Sequence, residues 1–317
     1  MNEIALRSFY RMLSIAVVIA ALAPNAAWAV RASLIMSADS GDVLSRHAPQ
    51  RLNAPASLTK LMTAYVVLEA IEDGTLAPDA SIAISKHAAA RPPTRLGVQA
   101  GQKIDVQTAL RALIVRSAND IAVALAEHIA GSEEAFVALM NQRAASLGLT
   151  ATRFRNASGL PAPDQVTTAY DMALLAQALL KRFPDAQDLL SAKEVTWAKR
   201  QLTRSHPLLR SEPVAVLKTG FTCMAGFNLV SIIDRPSARL VSVVLGAATP
   251  SLRDARARAD LRTAFADPGI RADLDDPNVD RSLNEKMLAT QCINGPSPRR
   301  YMQASKWSVE LSHALKP

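Results

Sequence analysis

The sequence predicts an α+β fold in which one antiparallel sheet, built from both ends of the chain, packs against an all-helical region. Short β-rich apolar runs lie near the start, at residues 32–38 and 43–44. Similar runs return near the end, at residues 214–217, 228–233 and 240–245. Between them, apolar residues recur mainly at helical spacing. The strands of the two ends must therefore meet across the helical middle.

Each element has a local signal. The turn Asp39-Ser40-Gly41-Asp42 joins the first two runs into a hairpin. A helix over residues 55–73, stopped by Gly74, is apolar on nearly every face, which predicts a place in the middle of the core. Thr168 and Asp171 predict an N-terminal cap, with the acid in the role of the usual Glu. The other predicted helices cover residues 106–115, 120–130, 133–147, 172–182 and 251–265.

Composition narrows the class of protein. The 317 residues are 49% apolar, enough for a proper core, and this excludes a wholly disordered chain. Two cysteines cannot form a disulfide scaffold, and five scattered histidines show no metal-ligand spacing. The formal charge of +8 suits an anionic partner: nucleic acid, an acidic polymer or a membrane surface.

The first 29 residues indicate export. Arg7 and Arg11 precede the apolar run 12–23, and Ala27-Trp28-Ala29 is a small-x-small cleavage pattern. We therefore expect a signal peptide cleaved near Ala29 and a mature protein in the periplasm or cell envelope. An uncleaved anchor is the alternative. Export disfavours nucleic acid as the partner and favours envelope polymers or lipids.

The body at residues 30–266 is expected to form one domain, followed by a tail at 267–317 that is flexible or loosely docked. In the tail, Trp307, Leu311 and Leu315 recur at helical spacing. This stripe predicts either a weak peripheral membrane contact or, more simply, a frayed helix packed on its own domain.

The most informative residue is Lys60, inside the apolar helix. Burial disfavours an ammonium group and lowers its pKa. Ser57 lies three residues earlier, on the same face and in the first turn, where free N–H groups favour negative charge. A desolvated lysine beside a serine at a helix start can work as a general base and nucleophile pair. Alone the pattern is weak, since Ser57 can serve as a cap while Lys60 reaches solvent.

Two more motifs strengthen the hypothesis that Ser57 and Lys60 act as a nucleophile and its base. Ser117-Ala118-Asn119 falls between two predicted helices, where polar side chains can project into a cleft, although Ser117 or Asp120 can equally cap the next helix. Lys218-Thr219-Gly220 follows the run 214–217, so it lies at a strand edge. There Gly220 would allow a substrate to approach the backbone closely.

The three motifs together resemble those of the serine D-alanyl-D-alanine carboxypeptidases, low-molecular-mass penicillin-binding proteins related to the serine β-lactamases. The resemblance extends over about residues 32–265 and includes further segments: Asp39-Ser40-Gly41, Ala130-Gly131-Ser132, Asp171-Met172-Ala173-Leu174, and Ala225-Gly226-Phe227-Asn228-Leu229. It implies the β-lactamase-like fold, and a metal-free, cofactor-free enzyme acting on peptidoglycan stem peptides. It also implies acylation by β-lactam antibiotics.

The resemblance implies catalytic roles for four residues. Ser57 would be the acylated nucleophile and Lys60 the base that takes its proton. Ser117 and Asn119 would bind substrate and relay protons, with Ser117 linking Lys60 to the leaving D-alanine.

The resemblance also implies a substrate-binding strand. Lys218 and Thr219 would bind the terminal carboxylate, and the N–H groups of Ser57 and Phe221 would form the oxyanion hole. Phe221 replaces a His that some members carry, so any side-chain role of that His is absent. Ala248 stands near a position where other members have an Arg, for which Arg253 is a candidate substitute.

These features predict a DD-carboxypeptidase. The alternatives are a DD-endopeptidase, a β-lactamase or a non-catalytic peptidoglycan-binding protein. A β-lactamase would need a deacylation base such as an E-x-x-L-N pattern, which is not found over residues 120–217. Cys223 lies near the proposed cleft and lacks an obvious His partner for catalysis; a disulfide with Cys292 is a separate hypothesis.

Overall fold

The computed structural model describes residues 30–266 and confirms the predicted α+β class, with a sheet drawn from both ends of the body. The strands are β1 (Ala32–Ser37), β2 (Val43–His47), β3 (Ser81–Ala83), β4 (Lys103–Asp105), β5 (Glu194–Trp197), β6 (Arg200–Thr203), β7 (Val214–Thr222), β8 (Gly226–Arg235) and β9 (Ala238–Ala247). Five of them form one antiparallel sheet in the order β2-β1-β9-β8-β7. β1 pairs with β9, so the two ends of the body close the sheet.

Helices fill the middle of the chain, as expected. They are α1 (Thr59–Glu72), α2 (Lys86–Ala89), α3 (Val106–Val115), α4 (Asn119–Ala130), α5 (Glu133–Ser146), α6 (Ala169–Arg182), α7 (Gln187–Leu190), α8 (Pro207–Ser211) and α9 (Pro250–Ala266). The five longer predicted helices and the one following the 3₁₀ turn Ala56–Leu58 are found within a few residues of their predicted ends.

The sheet separates two apolar layers because alternate side chains of a strand point to opposite faces. Leu34 and Met36 of β1 face the large core that contains α1, whereas Ile35 packs with Leu261 of α9. Helix α1 is buried from Thr59 to Glu69, which confirms its predicted central position. The layer order is therefore α9, sheet, then the helical region.

The predicted cap of α6 is half right. Thr168 Oγ1 accepts a hydrogen bond from the Asp171 backbone N–H at 3.0 Å. The Asp171 carboxylate does not return this bond; it accepts from the N–H of Ala151 and the hydroxyl of Thr152 instead. Asp171 thus ties α6 to the segment that follows α5, a contact that local pattern cannot indicate.

Two small two-stranded antiparallel sheets, β3–β4 and β5–β6, were not predicted. Their strands have three or four residues, too few to establish a period. The β5–β6 turn uses Ala198 and Lys199, both with positive φ, in place of the Gly or Asn that would mark such a turn.

Several predictions concern residues outside 30–266: the leader at 1–29, the tail at 267–317 with its Trp307, Leu311 and Leu315, and Cys292 as the partner of Cys223. Within the described range, none of the helices combines the length and apolarity needed to cross a bilayer.

Candidate active site

Ser57 lies in a tight turn that is clamped between two glycines. It belongs to the 3₁₀ turn that precedes α1, and the residue before it, Ala56, has a strained φ of 49°. A Cβ on Gly159 would lie 1.9 Å from the Ala56 carbonyl oxygen, and one on Gly220 would lie 3.0 Å from Ser57 N. The missing side chains let the Gly159 loop and β7 close on the turn from separate parts of the chain.

Lys60 is fully buried on α1, one turn beyond Ser57. Its Nζ lies 3.1 Å from Ser57 Oγ and donates to Asn119 Oδ1 at 2.7 Å. It also donates to the backbone carbonyl of Ser158. Burial lowers the pKa of Lys60 to about 7, against a smaller opposing effect of the Asp120 carboxylate. A large fraction of the amine is therefore neutral near pH 7 and able to accept a proton.

Ser117 and Asn119 lie at the junction of α3 and α4, facing Lys60 and β7. Ser117 has a positive φ of 55°. Asn119 Nδ2 donates to the Pro92 carbonyl at 2.9 Å, which orients the amide so that its oxygen points at Lys60. The structure does not support the alternative in which Ser117 or Asp120 caps α4.

The cap position of α4 is instead Ala118, without a side-chain hydrogen bond. Asp120 is buried and accepts hydrogen bonds from the N–H groups of Leu96 and Gly97 at 3.0 and 2.8 Å. The carboxylate therefore holds the loop over residues 92–98 against the start of α4. The same loop supplies the Pro92 carbonyl that orients Asn119.

Lys218 is the second buried lysine of the cleft. Its Nζ donates to Ser117 Oγ at 2.9 Å and to the carbonyl of Thr219 at 2.9 Å. Its pKa is lowered well below the usual value, mainly by burial and also by the nearby charges of Lys60 and Arg204. Ser117 therefore joins the two halves of the cleft, one on the helices and one on the sheet.

The Lys218-Thr219-Gly220-Phe221 segment lies within β7, which extends to Thr222 and does not stop at residue 217 as predicted. β7 is the last strand of the sheet order, so the segment lies at an edge, as expected. The exposed Phe221 ring stacks on Phe227 of β8, with ring centroids 4.2 Å apart.

The interpretation of Gly220 needs correction. We expected its missing side chain to give a substrate room beside the backbone. The space is occupied by the Ser57 turn itself, since the nearest atoms are Ser57 N, the Pro55 carbonyl oxygen and Ala56 Cβ. Gly220 thus brings the turn and the sheet together.

Arg253 does not offer a free guanidinium to a substrate carboxylate. It is buried and donates to Asp254 Oδ1 at 2.7 Å, with its Nη2 3.1 Å from His206 Nε2. The basic residue that sequence reasoning missed is Arg204, which donates to the carbonyls of Leu217 and Ala192 at 2.7 Å each. Burial lowers its pKa to about 10. Arg204 carries no motif, so only its contact with β7 reveals it.

The loop that supplies the Ser158 carbonyl was also missed. Asn156 Oδ1 accepts from the N–H groups of Ser158 and Gly159 at 3.2 and 2.7 Å. Gln165 Nε2 donates to the Leu160 carbonyl at 2.8 Å and closes the loop. The spacing Asn156-x-x-Gly159, followed by Pro161 and Pro163, is a sequence signal that marks this turn.

Between residues 30 and 266, no group of three or more His, Cys, Asp or Glu side chains is arranged to hold a metal ion. Cys223 is partly buried in the β7–β8 connection. The cleft instead combines a serine hydroxyl, two buried lysines of lowered pKa, and backbone N–H groups, a set suited to acyl transfer.

Comparison with known proteins places this geometry in a family. A family model described as D-alanyl-D-alanine carboxypeptidase matches residues 19–249. The chain is 39% identical over 232 residues to the D-alanyl-D-alanine carboxypeptidase DacC of Escherichia coli (strain K12), covering 70% of this chain and 58% of that protein. It therefore spans about three fifths of the length of such relatives.

Comparison with solved structures leads to the same family. Penicillin binding protein 6B from Escherichia coli is 35% identical with a TM-score of 0.71, covering 74% of this chain and 77% of that one. Penicillin-Binding Protein D2 from Listeria monocytogenes, in its ampicillin-bound form, is 30% identical with a TM-score of 0.68, covering 75% and 98%. The match includes all three motifs of the cleft, and the chain belongs to the D-alanyl-D-alanine carboxypeptidase family.

Proposed function

We propose that this protein is a serine-type D-Ala-D-Ala carboxypeptidase that removes the terminal D-alanine from peptidoglycan pentapeptides through an acyl-enzyme on Ser57. The observation that carries the proposal is the Ser57–Lys60 contact of 3.1 Å, in which burial lowers the pKa of Lys60 to about 7. A lysine of ordinary pKa would hold its proton at neutral pH and could not act as the base.

The first half-reaction forms an ester. Neutral Lys60 takes the proton of Ser57 Oγ, and the oxygen bonds to the carbonyl carbon of the penultimate D-alanine. The N–H groups of Ser57 and Phe221 stabilise the resulting oxyanion. The carbon–nitrogen bond then breaks, and the leaving amine takes a proton relayed from Lys60 through Ser117.

The second half-reaction hydrolyses the ester. Water, deprotonated by Lys60, attacks the same carbon, and Ser57 Oγ takes back a proton as it leaves. Lys218 and Thr219 bind the terminal carboxylate of the substrate, with the partly buried positive charge of Arg204 next to β7. Asn119 keeps Lys60 in place and faces the peptide.

The same cleft should be acylated by β-lactams, since a β-lactam carbonyl can be attacked by Ser57 in the same way. The ampicillin-bound form of the Listeria relative supports this for a similar chain. We also propose that residues 30–266 form the catalytic domain and that the enzyme works in the cell envelope. The leader-like residues 1–29 and the location of peptidoglycan support this setting.

The test combines D-alanine release with penicillin labelling. The wild-type protein should release D-alanine from a defined pentapeptide and bind labelled penicillin covalently, and Ser57→Ala should do neither. Ser33→Ala changes a buried serine of β1, a strand that is separated from β7 by β9 and β8; it is the matched control and should keep both activities.

Three outcomes would contradict the proposal. Penicillin labelling of Ser57→Ala would show that another residue is acylated. Cleavage of cross-linked muropeptides in place of pentapeptides would indicate an endopeptidase. Rapid turnover of penicillin without D-alanine release would indicate a β-lactamase.

A further inference from the structure

Asn228 of β8 is a buried polar residue that the proposed chemistry does not use. It is fully buried and lies directly across from Gly220 in the β7–β8 ladder. Its Nδ2 donates to the carbonyls of Ala54 and Pro55 at 3.0 and 3.1 Å. Its Oδ1 accepts from the N–H of Gly246 at 2.9 Å and from Asn53 Nδ2 at 3.2 Å. The amide therefore uses both donors and both acceptor positions.

The two carbonyls that Asn228 binds immediately precede the Ser57 turn. The Pro55 oxygen lies only 3.1 Å from the position that a Cβ on Gly220 would take, and Ser57 N lies 3.0 Å from it. Asn228 thus holds the turn down on β7 at the point where the strand continues into Phe221. The Ala56 backbone, with its φ of 49°, needs such restraint to keep its conformation.

We propose that Asn228 is a positioning residue that sets the separation of the two oxyanion donors, the N–H groups of Ser57 and Phe221. The inference rests on the role given to those groups in the proposed function. Asn228 touches neither the substrate nor Lys60; it acts through the carbonyls of Ala54 and Pro55. Its effect therefore falls on the tetrahedral intermediate and leaves the general base unchanged.

Asparagine suits this position for a chemical reason. An aspartate has nearly the same shape and keeps both acceptor bonds, but it turns an oxygen toward the two carbonyl oxygens. A serine retains one donor and cannot reach both carbonyls. Each change releases the turn from β7, and loss of an aligned oxyanion donor slows acyl transfer by about 10²-fold or more.

The experiment compares the full-length wild type with Asn228→Asp and Asn228→Ser, using labelled penicillin and a peptide boronic acid that forms a tetrahedral adduct with the serine. We expect the acylation rate constant and the boronate affinity to fall together by about 10- to 100-fold. The midpoint of the pH profile should not move, and the affinity for the product tetrapeptide should change by less than about twofold.

The matched control is Ser231→Ala, three residues further along β8. Ser231 is also fully buried, but its hydroxyl has no hydrogen-bond partner within residues 30–266, so its loss should alter acylation by less than about twofold. Melting curves establish which variants are folded. If Asn228→Asp does not fold, the measurements on Asn228→Ser test the proposal.

The proposal is overturned if a folded variant is acylated at nearly the wild-type rate, if its pH midpoint shifts, or if product affinity falls as much as boronate affinity. Failure of both variants to fold would assign Asn228 to folding and would also overturn it. A wild type that is acylated by penicillin but releases no D-alanine refutes the proposed function, yet still allows the acylation rates to test Asn228. A wild type that penicillin does not acylate refutes both.

Discussion

At the scale of a single residue, the proposed function predicts that the protonation of Lys60 controls acylation. Because its pKa is lowered to about 7 by burial, the neutral base predominates above that pH and the ammonium below it. We predict that the acylation rate rises about tenfold per pH unit below the midpoint and levels off above it. Stopped-flow measurement with a chromogenic β-lactam from pH 5 to 9 checks this. A flat profile, or a midpoint near the ordinary lysine pKa, would contradict it.

We predict that Asp120 shifts the midpoint of this pH profile. Its buried carboxylate favours the Lys60 ammonium and so opposes the effect of burial on the pKa. Asp120→Asn removes the negative charge, so the Lys60 pKa should fall and the acylation midpoint should move to lower pH. The control is Asp171→Asn, which removes another buried carboxylate that accepts a backbone N–H, but on α6. An upward shift of the acylation midpoint in Asp120→Asn, or an equal shift of the midpoint in both variants, would refute this effect of Asp120 on Lys60.

At the scale of elements, the packing of two loops on the Ser57 turn depends on glycine. Gly159→Ala would place a Cβ 1.9 Å from the Ala56 carbonyl oxygen at a φ of +82°. We predict a loss in the free energy of unfolding of about 3 kcal/mol or more, from overpacking and backbone strain together. Acylation of the folded fraction should also slow, because the turn is displaced.

Gly148→Ala is the control for this prediction. Gly148 has a similar φ of +73°, but no atom in the described part of the chain lies within 4 Å of the position that a Cβ would take there. Gly148→Ala should therefore lower the free energy of unfolding by only about 1 kcal/mol, from backbone strain alone. Urea unfolding of the two variants separates packing from strain, and equal losses would show that the close approach to Ala56 does not matter.

Local sequence predicts some helices and strands better than others. The long helices and most of the main strands carry several turns or alternations, so their positions were predicted within a few residues, whereas β7 continues past residue 217 to Thr222. The strands of the two-stranded sheets β3–β4 and β5–β6 are too short to show a period. Asp171 was correctly assigned to the start of α6, but its carboxylate binds the 151–152 turn, because a tertiary neighbour competes for it.

At the scale of the whole molecule, the sheet and the helices share one core. Leu34 of β1 pairs with Val243 of β9 and packs in the core that also contains α1. Leu34→Ala should lower the free energy of unfolding by about 2–5 kcal/mol. Helix content by circular dichroism and covalent penicillin binding should be lost at the same denaturant concentration. Separate transitions would mean that sheet and helices unfold independently.

The sequence by itself determined the class of fold, the order of the main elements, and the Ser57, Lys60, Ser117, Asn119 and Lys218 motifs that point to the family. These depend on local periodicity and on short spacings along the chain. The tertiary structure alone decided what surrounds them. Lys60 meets the Ser158 carbonyl 98 positions away, and Asn228 meets the Pro55 carbonyl 173 positions away. Such contacts arise from packing between distant segments, which is also what buries Lys60 and lowers its pKa.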